Sequence, residues 1–182
     1  MRFLVTLIFI IFAHNVSAEK KGEFTGYKLP RFVSLKSDNV NLRVGPSENY
    51  PIKLKYITQN FPVEIIDEYD VWRQVRDLND KVGWIHKSLL KGDRYIIIKS
   101  KNNVKYNLHN YPNGKKIGLI KKNNIVELKK CLKDWCLIKH KKIKGWILKK
   151  HLWGVYTDEK YNIGYMHFFI ELYWKFINLK FF

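Results

Sequence analysis

Few side chains in this sequence have chemical reach. Cys131 and Cys136 bracket Leu132-Lys133-Asp134-Trp135, and the six histidines include His86, His109, His140, His151 and His167. A Cys–His nucleophile requires an accessible thiolate beside an imidazole. His140 is close in sequence to Cys136, but a hairpin tip at Lys133-Asp134 sets Cys136 against Cys131 instead. Opposed residues of antiparallel strands have Cβ atoms about 4.5–5.5 Å apart, near enough for a disulfide after some closing-in. The expected state is a Cys131–Cys136 hairpin disulfide, with two free thiols as the alternative reading. No second Cys or His pair lies at metal-ligand spacing. No glycine-rich phosphate loop and no Ser motif at a strand-to-helix turn occurs. Catalysis finds no support in the sequence, and neither a metal nor a cofactor is implied.

Residues better suited to holding a ligand are Arg43, Tyr50 and Tyr56, in a long loop and the strand after it, together with Trp72 and Trp135, each beside a hairpin turn. A loop carrying Arg and Tyr at the rim of a rigid scaffold is a common place for recognition. The competing reading is that the first three only hold the loop in shape. Trp84 and Trp146 each follow a Gly and precede an Ile. The favoured reading places them inside the fold, with the glycine permitting close backbone approach; the other makes them stacking platforms.

The elements that must position these residues come in two copies, roughly sixty residues apart, and a repeat fixes architecture before any single residue is interpreted. Val63 maps to Val126, Glu64 to Glu127, Trp72 to Trp135, Val75 to Ile138 and Gly83-Trp84 to Gly145-Trp146. The phrase Asn39-Val40-Asn41-Leu42 has Asn103-Val104-Lys105-Tyr106 as its counterpart, which sets Asn107 opposite Arg43. Short alternating runs separated by Asp, Asn and Gly read as strands and turns. They give an all-β fold, with about five strands per unit, suited to a small, strongly bent barrel. His86 to Leu90 fits one helical turn, and Lys149 to Trp153 a closing turn. The expected organisation is a flexible lead-in over 19–31, one barrel over 32–91, a second over 94–154 and a tail over 155–182. The short connection Lys91-Gly92-Asp93 predicts barrels that touch.

Residues 1–18 read as a cleaved export signal. Arg2 supplies the positive start, Phe3 to Ala13 is an uncharged apolar run, and Val16-Ser17-Ala18 offers a cleavage site. The run is too short for a good membrane span, which needs about 20 residues. The expected location is periplasmic or secreted. The charge is strongly positive, 34 Lys and Arg against 16 Asp and Glu. Such a field favours anionic partners, or it reflects only a Lys-, Ile- and Asn-rich composition. Export argues against nucleic acid as a partner. In the tail, Met166, Phe169, Ile170, Tyr173, Trp174 and Ile177 form a broad apolar face and Glu171, Lys175 and Asn178 a narrow polar one, which predicts a helix over roughly 164–180. Peripheral membrane contact, docking on the barrels or a partner, and an extension without a selected role all remain open for it.

The phrases Asn39 to Ser47, Val63 to Ile66, Trp72-Arg73 and Gly83-Trp84-Ile85 resemble the bacterial Src-homology-3-like (SH3-like) domain. Two such units behind an export signal are similar to exported two-repeat proteins of alphaproteobacteria. The resemblance implies two tandem small SH3-like barrels, here with a C-terminal helical tail, that bind peptides or peptidoglycan without catalytic machinery. The second unit departs from the pattern, since Leu108-His109-Asn110-Tyr111-Pro112 replaces the first unit's loop. The functional expectation is a non-enzymatic module at the cell envelope, with peptidoglycan or an envelope protein as partner. The rival is an accessory subunit docking onto an envelope enzyme such as a cell-wall hydrolase.

Overall fold

The computed structural model describes residues 19–99 and 104–164. The first unit contains β1 (Arg31–Leu35), β2 (Val40–Arg43), β3 (Ile52–Tyr56), β4 (Pro62–Tyr69), β5 (Trp72–Arg76), β6 (Val82–His86) and β7 (Leu90–Lys91). The second contains β8 (Tyr95–Ile98), β9 (Lys105–His109), β10 (Lys116–Lys121), β11 (Ile125–Cys131), β12 (Trp135–His140), β13 (Ile143–Leu148) and β14 (Leu152–Trp153). Each unit is one seven-stranded antiparallel sheet, in the orders β3-β2-β6-β5-β4-β1-β7 and β10-β9-β13-β12-β11-β8-β14. The two orders correspond position for position, so the repeat is real at the level of topology.

Alternation dictates the strands. In β2, Val40 and Leu42 are buried while Asn41 and Arg43 turn outward; in β13, Gly145 and Ile147 are buried and Trp146 is not. Tyr56 at one end of the first strand order and Leu35 near the other end share one core cluster. The sheet therefore curls on itself as a barrel, and the second does likewise around Ile96, Ile138 and Ile147. Hairpin tips use residues that tolerate a left-handed backbone, among them Asp70 (φ 47°), Asn113 (φ 60°) and Asn123 (φ 62°). Short 3-10 turns at Lys87–Leu89 and Lys149–His151 close each barrel where single turns were expected.

Three expectations are corrected. Seven strands stand where about five were expected: β3 is an edge strand whose alternation of Ile52, Leu54 and Tyr56 with two lysines the count of five omits, and β7 is only two residues long. The lead-in is docked: Gly22 and Tyr27 bond to each other, Leu29 is buried, and Thr25 donates to the Glu68 carboxylate. The C-terminal helical tail is overturned for the part that is described. Residues 155–164 contain no helix; instead Tyr161 and Cys131 exchange both backbone hydrogen bonds, and Glu159 pairs with Arg94 at 2.6 Å. These bonds hold the segment extended along the end of β11. The rest of the expected helix, and the export signal, lie outside the described residues.

The barrels meet through an aromatic seam. Phe32 packs against Trp153 and Tyr156 with ring centroids 5.2 and 4.8 Å apart. The Tyr156 hydroxyl donates to Glu64 at 2.9 Å, and the backbone N–H of Tyr95 donates to buried Ser34. The segment after the second barrel thereby reaches back to the first.

Candidate ligand-binding groove

Cross-strand partners share a face of the sheet, and the register assembles one such face on each barrel. In the first, Arg43 lies opposite Trp84, Gln74 opposite Trp84 and Trp72 opposite His86. In the second, His109 lies opposite Trp146, Leu137 opposite Trp146 and Trp135 opposite Leu148. His109, and not Asn107, thus stands where Arg43 stands. The two-residue offset arises because residues 36–39 join β1 to β2 whereas the longer stretch 99–104 joins β8 to β9. Glycine confirms the register. A Cβ on Gly83 would meet Leu42 and the Arg43 carbonyl, and one on Gly145 would meet Leu108 and the His109 carbonyl.

Arg43 and His109 perform the same local task. Arg43 Nη1 donates to the Tyr50 carbonyl at 2.7 Å and closes the long loop of the first barrel. His109 Nδ1 lies 2.7 Å from the Gly114 carbonyl across the shorter loop. Since a carbonyl only accepts, this bond places the proton on Nδ1.

The faces differ in what they leave open. Trp72 is buried, with the His86 ring edge-on at 5.4 Å. Trp135 is only half-buried, with His109 edge-on at 5.2 Å. Beside it Tyr106 stacks on His151, centroids 4.0 Å apart and planes 25° apart. Tyr106, His109, Trp135 and His151, together with Asn107, Ile147 and Leu148, line a cleft of ≈ 100 Å³. Burial pushes the pKa of His151 down, and the charges of Lys150 and Lys99 push it the same way. Its ring therefore serves as a neutral, flat plate at neutral pH.

The structure brings Arg43 and Tyr50 together and places Trp72 on their face, while Trp135 takes the equivalent position on the other barrel. Tyr56 lies elsewhere: it is buried, stacks on Phe61, and donates to Asp77 at 3.2 Å, with its pKa pushed up by burial and by that carboxylate. Trp84 and Trp146 do not fill the barrels. Alternation turns them outward, and the inward places go to Gly83, Ile85, Gly145 and Ile147. Tyr106, His109 and His151 join the groove unexpectedly, since the sequence offers the histidines only as candidate catalytic or metal-binding groups. Cys131 and Cys136 are joined in a disulfide, as the hairpin reading allowed. Among the described residues, no three His, Cys, Asp or Glu side chains are grouped to hold a metal ion.

A small all-β barrel closed by a 3-10 turn, with an aromatic face between a long loop and a hairpin tip, defines an SH3-like module. Residues 36–92 and 117–154 match the bacterial SH3 domain, which is more than half of the chain. The chain belongs to the bacterial SH3 domain family. The second match begins only after β9, where His109 replaces Arg43, and the loop that follows it. No curated protein matches the sequence. Among solved structures, the chain is similar to NlpC2 from Trichomonas vaginalis, at 17% identity and a TM-score of 0.31 over 70% of this chain and 49% of that one. It is also similar to NlpC1 from Trichomonas vaginalis, at 17% identity and a TM-score of 0.29 over 72% and 48%. The chain spans about half the length of these two proteins.

Proposed function

We propose that this protein is an exported, non-enzymatic binding module of the cell envelope, periplasmic or secreted once residues 1–18 are removed, and that its second barrel binds peptidoglycan. The observation that carries this reading is the cleft formed by Trp135, His109 and the Tyr106–His151 stack. Flat aromatic plates beside the polar Asn107 suit sugar rings and short peptides. The positive charge of the chain suits a carboxylate-bearing polymer. Both cysteines are held in one disulfide, which leaves no thiol nucleophile.

The test is sedimentation of the chain from Glu19 onward with purified peptidoglycan. The protein pellets at low salt, and Trp135→Ala weakens pelleting while Tyr56→Phe does not. Salt also weakens it to the extent that lysines supply the attraction. Protein that stays in the supernatant with peptidoglycan but is retained by a membrane extract overturns this reading in favour of a subunit docking onto an envelope protein.

A further inference from the structure

A second, larger cavity of ≈ 480 Å³ opens beside the aromatic cleft and shares Leu148 with it. It lies where the β11–β12 hairpin tip, the second 3-10 turn and the segment after β14 converge. Its lining carries four lysines, Lys99, Lys133, Lys149 and Lys150, against a single carboxylate, Asp134. Backbone bonds fix its walls: the N–H of Lys99 donates to the His151 carbonyl at 2.9 Å, and that of Lys149 to the Asp134 carbonyl at 2.8 Å.

Lys149 is the informative member. Only 6% of it is exposed, and its ammonium donates to the carbonyls of Thr157 at 3.1 Å and Glu159 at 2.8 Å, not to a carboxylate. Carbonyls satisfy donors without cancelling charge, and an ammonium has a third N–H to give. The Glu159 carboxylate is engaged elsewhere, by Arg94 and by the backbone of Tyr156. Lys99, Lys133 and Lys150 form no ion pair among the described residues. Burial lowers the pKa of the neighbouring His151, and the charges of Lys150 and Lys99 lower it further.

The first barrel shows that this is not the lysine-rich composition spread evenly over the fold. The N–H of Lys36 donates to Leu89, as that of Lys99 does to His151, and the N–H of Lys87 donates to Val71, as that of Lys149 does to Asp134. At these equivalent places the first barrel has Asp70 for Lys133, Ser88 for Lys150 and Leu89 for His151, and Lys87 is exposed where Lys149 is buried. The first barrel keeps lysines at two of the four places, Lys36 and Lys87, both exposed, so the full set is gathered only on the second barrel.

We propose that the lysine-lined cavity of the second barrel is a binding site for a phosphate group. Lysine offers point charges that converge on an oxyanion from several directions, whereas planar carboxylates favour the arginine fork. The lining contains no arginine. A phosphate brings more acceptor oxygens and more charge than a carboxylate, which suits a cavity lined by four lysines. The group comes either from a free small phosphate or from a phosphate-bearing envelope polymer, and the site is independent of peptidoglycan binding.

The experiment titrates the chain from Glu19 onward with pyrophosphate, and with acetate as a carboxylate control, at constant ionic strength. Backbone amide shifts of Lys149, Lys150 and Leu152 are followed by NMR. Pyrophosphate gives a saturable shift there and acetate does not. The triple variant Lys99→Ala, Lys133→Ala, Lys150→Ala weakens binding at least tenfold. The control Lys36→Ala, Lys55→Ala, Lys87→Ala, which removes the same charge from exposed positions of the first barrel, leaves affinity within twofold. Amide spectra of both variants report whether each barrel remains folded. A soluble poly(glycerol phosphate) competing with pyrophosphate identifies the polymer as the source, and its failure to compete identifies the free phosphate. Absence of a saturable shift, or equal weakening by both triple variants, overturns the proposal. Protein that ignores peptidoglycan but takes pyrophosphate in this cavity refutes the function proposed above and leaves this one standing.

Discussion

The same cross-strand position carries an ion pair in the first barrel and a covalent bond in the second. Glu68 lies opposite Arg73 near the end of the β4–β5 hairpin, and Cys131 lies opposite Cys136 near the end of β11–β12. Both positions are closed by a terminal arm. Thr25 and Arg31 reach Glu68 at 2.8 and 2.6 Å from the N-terminal side, and Tyr161 pairs with Cys131 from the C-terminal side. The Glu68 side chain is fully buried and that of Arg73 is 6% exposed, so the first barrel has taken two charges out of water. That is costly unless geometry and further hydrogen bonds compensate. The Arg73 guanidinium is accordingly also bonded to the carbonyls of Asp70 and Trp72 at 2.8 Å. The disulfide closes the second hairpin without desolvating a charge. One fold thus secures its hairpin electrostatically in one copy and covalently in the other, and the two barrels answer to different perturbations.

The largest effect expected is from Glu68→Ala. It leaves Arg73 buried without its counter-charge and destabilises the first barrel by about 3–5 kcal/mol. Amide exchange resolved by residue reads this as lost protection over 31–91 with little change over 95–161. Equal loss in both barrels breaks the comparison and shows that the aromatic seam makes them one cooperative unit. Acid distinguishes them in the same way. Burial pushes the Glu68 pKa up, but the hydrogen bonds from Arg31 and Thr25 and the charges of Arg31 and Arg73 outweigh it and hold the pKa below the ordinary carboxylate value. A depressed pKa contributes stability that is present above the unfolded value and lost as pH falls through the folded one. Below about pH 4.5 the first barrel therefore loses protection from this source, while the disulfide of the second does not titrate.

A smaller effect sharpens the comparison at the glycines under the groove. A Cβ on Gly83 would stand 2.6 Å from Leu42 Cγ and 2.7 Å from the Arg43 carbonyl, whereas one on Gly145 meets Leu108 at 2.9 Å and the His109 carbonyl only at 3.5 Å. Overpacking of this kind costs about 1–3 kcal/mol. Gly83→Ala falls toward the upper end because backbone must move, and Gly145→Ala falls below it. Thermal unfolding of the two variants gives the order directly, and the reverse order contradicts the matched register. The smallest effect is reduction of the disulfide. Closing so short a loop stabilises by about 2 kcal/mol at most. Dithiothreitol should thus lower protection over 95–161 modestly and leave 31–91 unchanged.

Much of this was legible in the sequence. The spacing of Trp72 with Gly83-Trp84 and of Trp135 with Gly145-Trp146 revealed the repeat, because strand alternation and turn residues force both copies into one frame. The cysteine pairing followed from a hairpin tip at Lys133-Asp134. The groove was harder to read. A Gly-Trp-Ile run does not say which of its residues faces inward until the neighbouring strands are placed, and placing them turned the tryptophans outward. Arg43 and His109 share a role but not a chemistry, and unequal connections before β2 and β9 hid their equivalence. The terminal arms were invisible because single contacts, such as Thr25 on Glu68 or Tyr161 on Cys131, leave no periodic trace.

We propose that the second barrel, through its aromatic cleft, is the one that carries the ligand. Amide shift mapping of the chain from Glu19 onward, titrated with soluble peptidoglycan fragments, decides between the barrels. Shifts concentrated at Tyr106, His109, Trp135 and His151 are expected. Shifts concentrated at Arg43, Trp72 and Trp84, or no shifts in either barrel, would contradict it.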